Sequence, residues 1–304
     1  MTDTPHPENQ RMSESSDASK ERLRLDAPAD ALTRLYFIFG SPIAHVRAPV
    51  VWSTLMKRHG VNALMLPGDT DADRVDIAIA GVKGIANVDG MIFTMPHKFT
   101  AMKHADVLSA RARRIGSINL LRRRADGVWE GDNVDGAGFV DGLRADGVRL
   151  EGARVTLHGC GGVGRSIGWS LAAQGIARLT VFDVDDARAR ALADAIRQDS
   201  RARIEAGTLA GRPEMGDVGV AINASPLGLH AGDALPFPVD RLPPHAVVAD
   251  VIMDPRMTAL LHAASARGLK VHHGRNMMNH AMPVAASFFG LDDAFDWNGA
   301  SVQG

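Results

Sequence analysis

The chain has one cysteine and one tyrosine in 304 residues, and aromatic residues make up only 5% of it. A single thiol excludes an internal disulfide framework and fits a reducing, cytoplasmic compartment. No apolar run approaches the roughly 20 residues of a membrane helix, and no signal-peptide pattern is visible. An excess of one charge is lacking too. The 34 Lys and Arg stand against 35 Asp and Glu, a formal net charge of −1, so no broad pull toward nucleic acid is expected. The run Arg122-Arg123-Arg124 reads as the solvated face of a hairpin. His45, His97, His158, His272, His273 and His280 do not fall at compact metal-ligand spacing, so no metal site is expected. Internal repeats and a Walker-type Gly-Lys-Ser/Thr loop are also missing.

What is present starts at Gly159-Cys160-Gly161-Gly162-Val163-Gly164. A β-branched apolar strand, Ala153 to His158, precedes it, and a helix over Arg165 to Gln174 follows. A second strand, Leu179 to Phe182, ends in Asp183, 19 residues after Gly164. This is the first βαβ unit of a dinucleotide-binding fold. Gly159 permits the tight turn, Gly161 lets the backbone approach a pyrophosphate, and Gly164 lets helix and strand pack closely. The helix N-terminus, with unpaired N–H groups at Gly162 and Val163, would carry the pyrophosphate. Asp183 can accept hydrogen bonds from ribose hydroxyls and would repel a 2′-phosphate. No Arg directly follows it, and Arg188 lies too far along for an obvious phosphate clamp. NAD is therefore expected in preference to NADP. Cys160 reads as a small turn residue.

At this length two units are expected. Residues 1–30 are polar and aperiodic and read as a disordered tail. Ordered structure is expected from the strand Leu35 to Phe39, followed by a helix from Pro49 to His59 and a strand from Asn62 to Leu66. A helix over Asp71 to Val82 and a strand over Gly90 to Thr94 come next. Pro96 to His104 and Val107 to Arg114 read as helical, and 118–121 with 128–130 as a hairpin. A helix over Gly138 to Leu143 crosses to the second unit. Its later strands are Val218 to Asn223, Ala246 to Ile252 and Val271 to His273. Arg275 to Phe289 reads as a last helix that packs back on the first unit. Strands alternating with helices make this an α/β chain with a mostly parallel sheet.

A nicotinamide enzyme that oxidises an alcohol needs a base beside the hydroxyl and groups that fix the substrate. Thr94-Met95-Pro96-His97-Lys98 stands at a strand C-terminus, where open α/β sheets bind substrates. Gly131-Asp132-Asn133-Val134-Asp135-Gly136 lies between the hairpin and the crossing helix. Asp132 is expected to pair with Lys98, and a desolvated lysine can exchange protons near neutrality. Taken alone, each motif equally fits a solvated lysine at a helix start and a turn carboxylate.

The order of these motifs resembles the shikimate/quinate dehydrogenase family over about residues 35–290. The resemblance also rests on Gly40-Ser41-Pro42-Ile43-Ala44-His45, Ile115-Gly116-Ser117-Ile118-Asn119 and Asn223-Ala224-Ser225-Pro226-Leu227-Gly228. It implies an N-terminal α/β substrate domain, 31–136 with 275–304, and a Rossmann-like NAD-binding domain, 137–274. It implies that Lys98 and Asp132 form the catalytic pair and that Thr94 and Asn119 hold substrate hydroxyls. It places Asn223, Ala224 and Ser225 by the nicotinamide ribose, and Gly274 and Met277 near the nicotinamide. The partner it implies is a cyclic hydroxy acid, reversibly oxidised at its 3-hydroxyl, with no nucleic acid and no membrane; a homodimer is left open.

The chain departs from the family pattern at the substrate carboxylate. Two serines expected in the first loop are Val46 and Ala48, an expected Asn is Ile92, and a substrate-binding Gln is Ala281. The expected Tyr near Asp250 is Met253. Burying a carboxylate without donors is costly. Arg47 or His45 substitutes for the serines, or the substrate lacks that carboxylate. A related cyclic polyol, an amino analogue and a catalytically silent dinucleotide sensor are the alternatives.

Overall fold

The computed structural model describes residues 29–44, 46–209 and 214–295. Most of the expected tail, residues 1–28, lies outside them, as do His45 and residues 296–304. Two six-stranded sheets carry the fold. The first runs in the order β2-β1-β3-β5-β6-β4. Its strands are β1 (Arg34–Gly40), β2 (Ala63–Asp69), β3 (Val88–Phe93), β4 (Val107–Leu108), β5 (Leu120–Arg123) and β6 (Trp129–Asp132). β1 pairs in parallel with β2 and β3, and the β5–β6 hairpin joins β3 antiparallel. Helices α1 (Ala48–Arg58), α2 (Val75–Lys83) and α3 (Ala110–Ile115) serve this sheet. The near-continuous apolar run of β1 reflects burial on both faces, as parallel strands require. Tyr36 and Ile38 pack toward α1 on one side, and Phe39 packs with Ile79 of α2 on the other.

The second sheet is parallel throughout, in the order β12-β11-β10-β7-β8-β9. It comprises β7 (Arg154–His158), β8 (Arg178–Phe182), β9 (Arg203–Ala206), β10 (Val220–Asn223), β11 (Val247–Asp250) and β12 (Lys270–His272). Helices α5 (Gly162–Ala172), α6 (Asp186–Arg197) and α7 (Ala259–Ala266) cover it. The strand order reverses between β7 and β10, and ligands of open α/β sheets bind in the crevice at such a switch.

Two helices tie the sheets together, α4 (Asp135–Ala145) and α8 (Gly274–Phe288). They touch because α4 offers glycine where α8 passes. A Cβ on Gly138 would stand 2.6 Å from both the Ala281 Cβ and the Met277 carbonyl oxygen. Phe289, just past α8, meets Tyr36 and Trp52 edge-on at 5.2 and 5.9 Å. Arg122 completes the dock. It pairs with Glu130, bonds the Phe288 carbonyl and lies over the Phe288 ring at 4.7 Å. Of the arginine run read as a solvated face, Arg122 is thus half-buried and structural, while Arg123 and Arg124 are exposed.

Two expected helices take other forms. After Thr94 the chain makes a turn and then a short 3₁₀ segment, Thr100–His104, in place of a helix over 96–104. The buried His97 ring fixes this turn through the Thr70 carbonyl at 2.7 Å. Val107 and Leu108 add to β6 as an edge strand, and α3 starts only after Ser109, whose hydroxyl caps it by accepting the Ala112 N–H.

Candidate active site

A cleft of about 1450 Å³ runs between the sheets, lined from α1, the β3 turn, the start of α4, the Gly159 loop and α8. Its second-sheet side is shaped by close backbone approach. Gly159 has φ +105°, and a Cβ there would stand 2.6 Å from the Ala224 carbonyl carbon. A Cβ on Gly164 would fall 1.9 Å from the Gly159 carbonyl oxygen, so helix and turn can close only around glycine. Gly161, which precedes α5, has nothing within 4 Å of a Cβ position. That open ground lies where the first N–H groups of α5, at Gly162 and Val163, are unpaired by geometry, a cradle suited to a pyrophosphate. Gly159, Gly161, Gly162 and Val163 line the cleft. Ala224, Ser225 and Met277 line it too.

Asn223 does not reach the cleft. It is fully buried, and its amide donates to the Leu227 carbonyl and to Asp250, while its oxygen accepts from the Ser225 N–H and hydroxyl. It shapes the loop that presents Ala224 and Ser225. Beneath it Asp250 also accepts from the Thr258 hydroxyl at 2.8 Å, and burial raises its carboxyl above the ordinary range. Gly274 lies against the chain just past β11: a Cβ would meet the Ile252 carbonyl oxygen at 2.4 Å. Cys160 is buried, its thiol pushed up to about 12 by burial and then by Asp183, a small turn residue as expected.

Asp183 stands on the cleft wall, but both its oxygens serve the backbone. Oδ2 accepts the Cys160 N–H at 2.7 Å and Oδ1 the Asp185 N–H at 3.0 Å. It clamps the glycine loop to the start of α6. Arg188, in the first turn of α6, also lines the cleft, so a cation that sequence distance had set aside stands at the site.

On the first-sheet side, Lys98 sits on the turn after β3, its carbonyl held by the Ile118 N–H at 3.0 Å. Its ammonium donates to Asp135 Oδ2 at 2.6 Å, and the two side chains are only 12% and 11% exposed. The expected partner, Asp132, is elsewhere. At the end of β6 it turns toward α3, accepting from Ser109 and Arg111 and from the Asn133 N–H. The pairing of Lys98 with Asp132 is therefore corrected to Lys98 with Asp135. Asp135 sits in the first turn of α4, where the helix dipole favours a carboxylate. The Asn119 amide fixes its other oxygen at 2.7 Å. Asn133 supports the same turn: its oxygen accepts from the Asp135 N–H and from the Ser166 hydroxyl of α5. A Cβ on Gly162 would stand 3.4 Å from Lys98 Cδ, so the lysine stem lies against the cofactor cradle. Asp135 was inside the motif read from the sequence; the signal for it was its place three residues later, at a helix start.

Thr94 and Asn119 line the cleft near this pair. Val46, Ala48, Ile92 and Ala281 line it as well, packed on the apolar cluster of Trp52, Leu120, Val134 and Met282.

A family model described as shikimate dehydrogenase substrate binding domain matches residues 38–121. A protein of Rhodospirillum rubrum named shikimate dehydrogenase (NADP(+)) is 33% identical over 86% of this chain and 94% of its own length. Among solved structures, 5-ketofructose reductase of Gluconobacter sp. strain CHM43 is 28% identical with a TM-score of 0.76, over 84% of this chain and 92% of that one. Quinate dehydrogenase of Corynebacterium glutamicum, solved with NAD, is 26% identical with a TM-score of 0.78, over 86% and 95%. Three further relatives at 32 to 34% identity also carry NADP(+) in their names. These names overturn the expectation of NAD over NADP that rested on Asp183, a carboxylate already engaged by two backbone N–H groups.

Proposed function

We propose that this chain, which belongs to the shikimate dehydrogenase family, reversibly reduces a ring ketone to a secondary alcohol with NADP(H). The observation that carries the reading is the buried Lys98–Asp135 pair at 2.6 Å, set against the glycine cradle of α5. The residues present fit a nicotinamide dinucleotide: Gly161 leaves open ground and the α5 amides supply donors for a pyrophosphate. Ala224, Ser225 and Met277 would flank the nicotinamide half, and Arg188 is the cation that would meet a 2′-phosphate. When bound, the dinucleotide supplies or takes up the hydride.

The protein's own part is proton handling and positioning. Lys98 Nζ would hydrogen-bond the ketone oxygen and give it a proton as negative charge develops there. In the reverse direction it takes the proton from the hydroxyl. Asp135 aims the ammonium, and Asn119 aims Asp135. Thr94 would hold a neighbouring hydroxyl, with its position set by Gly40, where a Cβ would stand 2.5 Å from Thr94 Cγ2. The relatives named above point to polyhydroxy ketones as substrates.

Lys98→Ala tests the reading. Turnover should fall by about 10²–10⁴ while NADPH affinity stays near that of the unaltered chain. Comparable turnover in the variant would remove Lys98 from the chemistry.

A further inference from the structure

The cleft has two unlike edges. Lys98, Asp135, Thr94 and Asn119 gather on one side. Val46 and Ala48 at the head of α1, Ile92 on β3 and Ala281 on α8 form another wall, and none of the four has a side-chain donor or charge. They come from three separate elements, yet all pack on one apolar cluster. A hydrocarbon wall assembled from distant parts of the chain fits a hydrocarbon ligand edge.

We propose that the substrate carries no carboxylate: it is an uncharged hydroxy ketone whose end remote from the reacting carbon is hydrocarbon. This rests on the dehydrogenase reading above and narrows it. Among the described residues, a carboxylate against this wall would lose its water without gaining a donor. Of the donors that line the cleft nearby, Arg47, Thr54 and Arg58 on and before α1 are exposed and belong to its rim, and Arg275 of α8 donates to the Met253 carbonyl. Asn279 also lines the cleft, but it stands two residues before Ala281 on α8 and so on a different side of the helix. Asn119 is already committed to Asp135 and to the Val134 N–H.

Shikimate and its methyl ester differ in this one charge. Their binding to the full chain is measured by calorimetry at neutral pH, together with their rates of oxidation. The ester should bind roughly tenfold more tightly than the acid or better. In the double variant Val46→Ser, Ala48→Ser the acid should gain and the difference shrink; retained ester binding reports that the variant is folded. Equal or tighter binding of the acid by the unaltered chain overturns the proposal, as does binding of neither. If the ester binds more tightly but Lys98→Ala leaves its oxidation rate unchanged, the dehydrogenase reading falls and the uncharged-ligand proposal stands.

Discussion

Replacing Asp135 and Asp132 one at a time separates two carboxylates that lie three residues apart and have different surroundings. Asp135→Asn keeps an oxygen for the Asn119 amide but turns an NH₂ toward Lys98. The lysine then loses its anionic partner in a site where both side chains are nearly buried. If Asp135 holds the ammonium for proton transfer, kcat should drop by about 10²–10⁴, or roughly 3–5 kcal/mol of barrier. NADPH affinity should change little, since the Asp135 carboxylate bonds Lys98 and Asn119 and not the α5 amides. Asp132→Asn breaks the contacts to Arg111 and Ser109, which lie outside the cleft. It should lower stability by about 1–3 kcal/mol and leave kcat within a few-fold. Steady-state kinetics, NADPH titration and denaturant melts of both variants read these quantities together. A hundredfold loss of kcat in Asp132→Asn, with Asp135→Asn nearly unaffected, would refute the assignment.

Two other outcomes follow from the second sheet. Arg188→Ala should weaken NADPH binding about tenfold, the loss of one charge-assisted phosphate contact, and leave NADH binding unchanged. Equal affinities for NADPH before and after would take Arg188 out of the site. His158 is buried between Phe182 and Phe237, each 4.6 Å away, and neither ring nitrogen has a partner among the described residues. Burial lowers it to about 3 from 6.5. A histidine kept neutral in the fold contributes stability above its unfolded value, and that is lost as pH falls from 6.5 toward 3. Between pH 7 and pH 5 the loss should be about 2 kcal/mol, and His158→Leu should remove most of it. Denaturant midpoints that fall equally in both proteins would contradict this.

The dinucleotide half was legible because its geometry is written in local residues. Gly159 and Gly164 occupy positions where any Cβ would strike backbone, and the strands and helix around them keep their periodicity. The alternation of strands and helices likewise announced two α/β layers. The short edge strand at Val107 was not legible, since two residues have no period and its pairing with β6 is a tertiary event. The turn at Pro96 to Phe99 read as a helix because the bond from His97 to Thr70, which fixes it, spans a distant part of the chain. The partner of Lys98 was misread for a similar reason. Both acids lie in one short motif, and only the exit of β6 into α4 decides which faces the lysine. Asp183 looked like a free carboxylate; its two backbone donors are visible only in the folded loop.

The proposed function stands on hydride transfer at a ketone held by Lys98. It is tested most directly with NADPH carrying deuterium at its transferring position, mixed with 3-dehydroshikimate and, separately, with its methyl ester. The alcohol formed from at least one of them should carry the deuterium on the carbinol carbon, and Lys98→Ala should form it far more slowly. An alcohol without deuterium, or no alcohol from either compound, would contradict it.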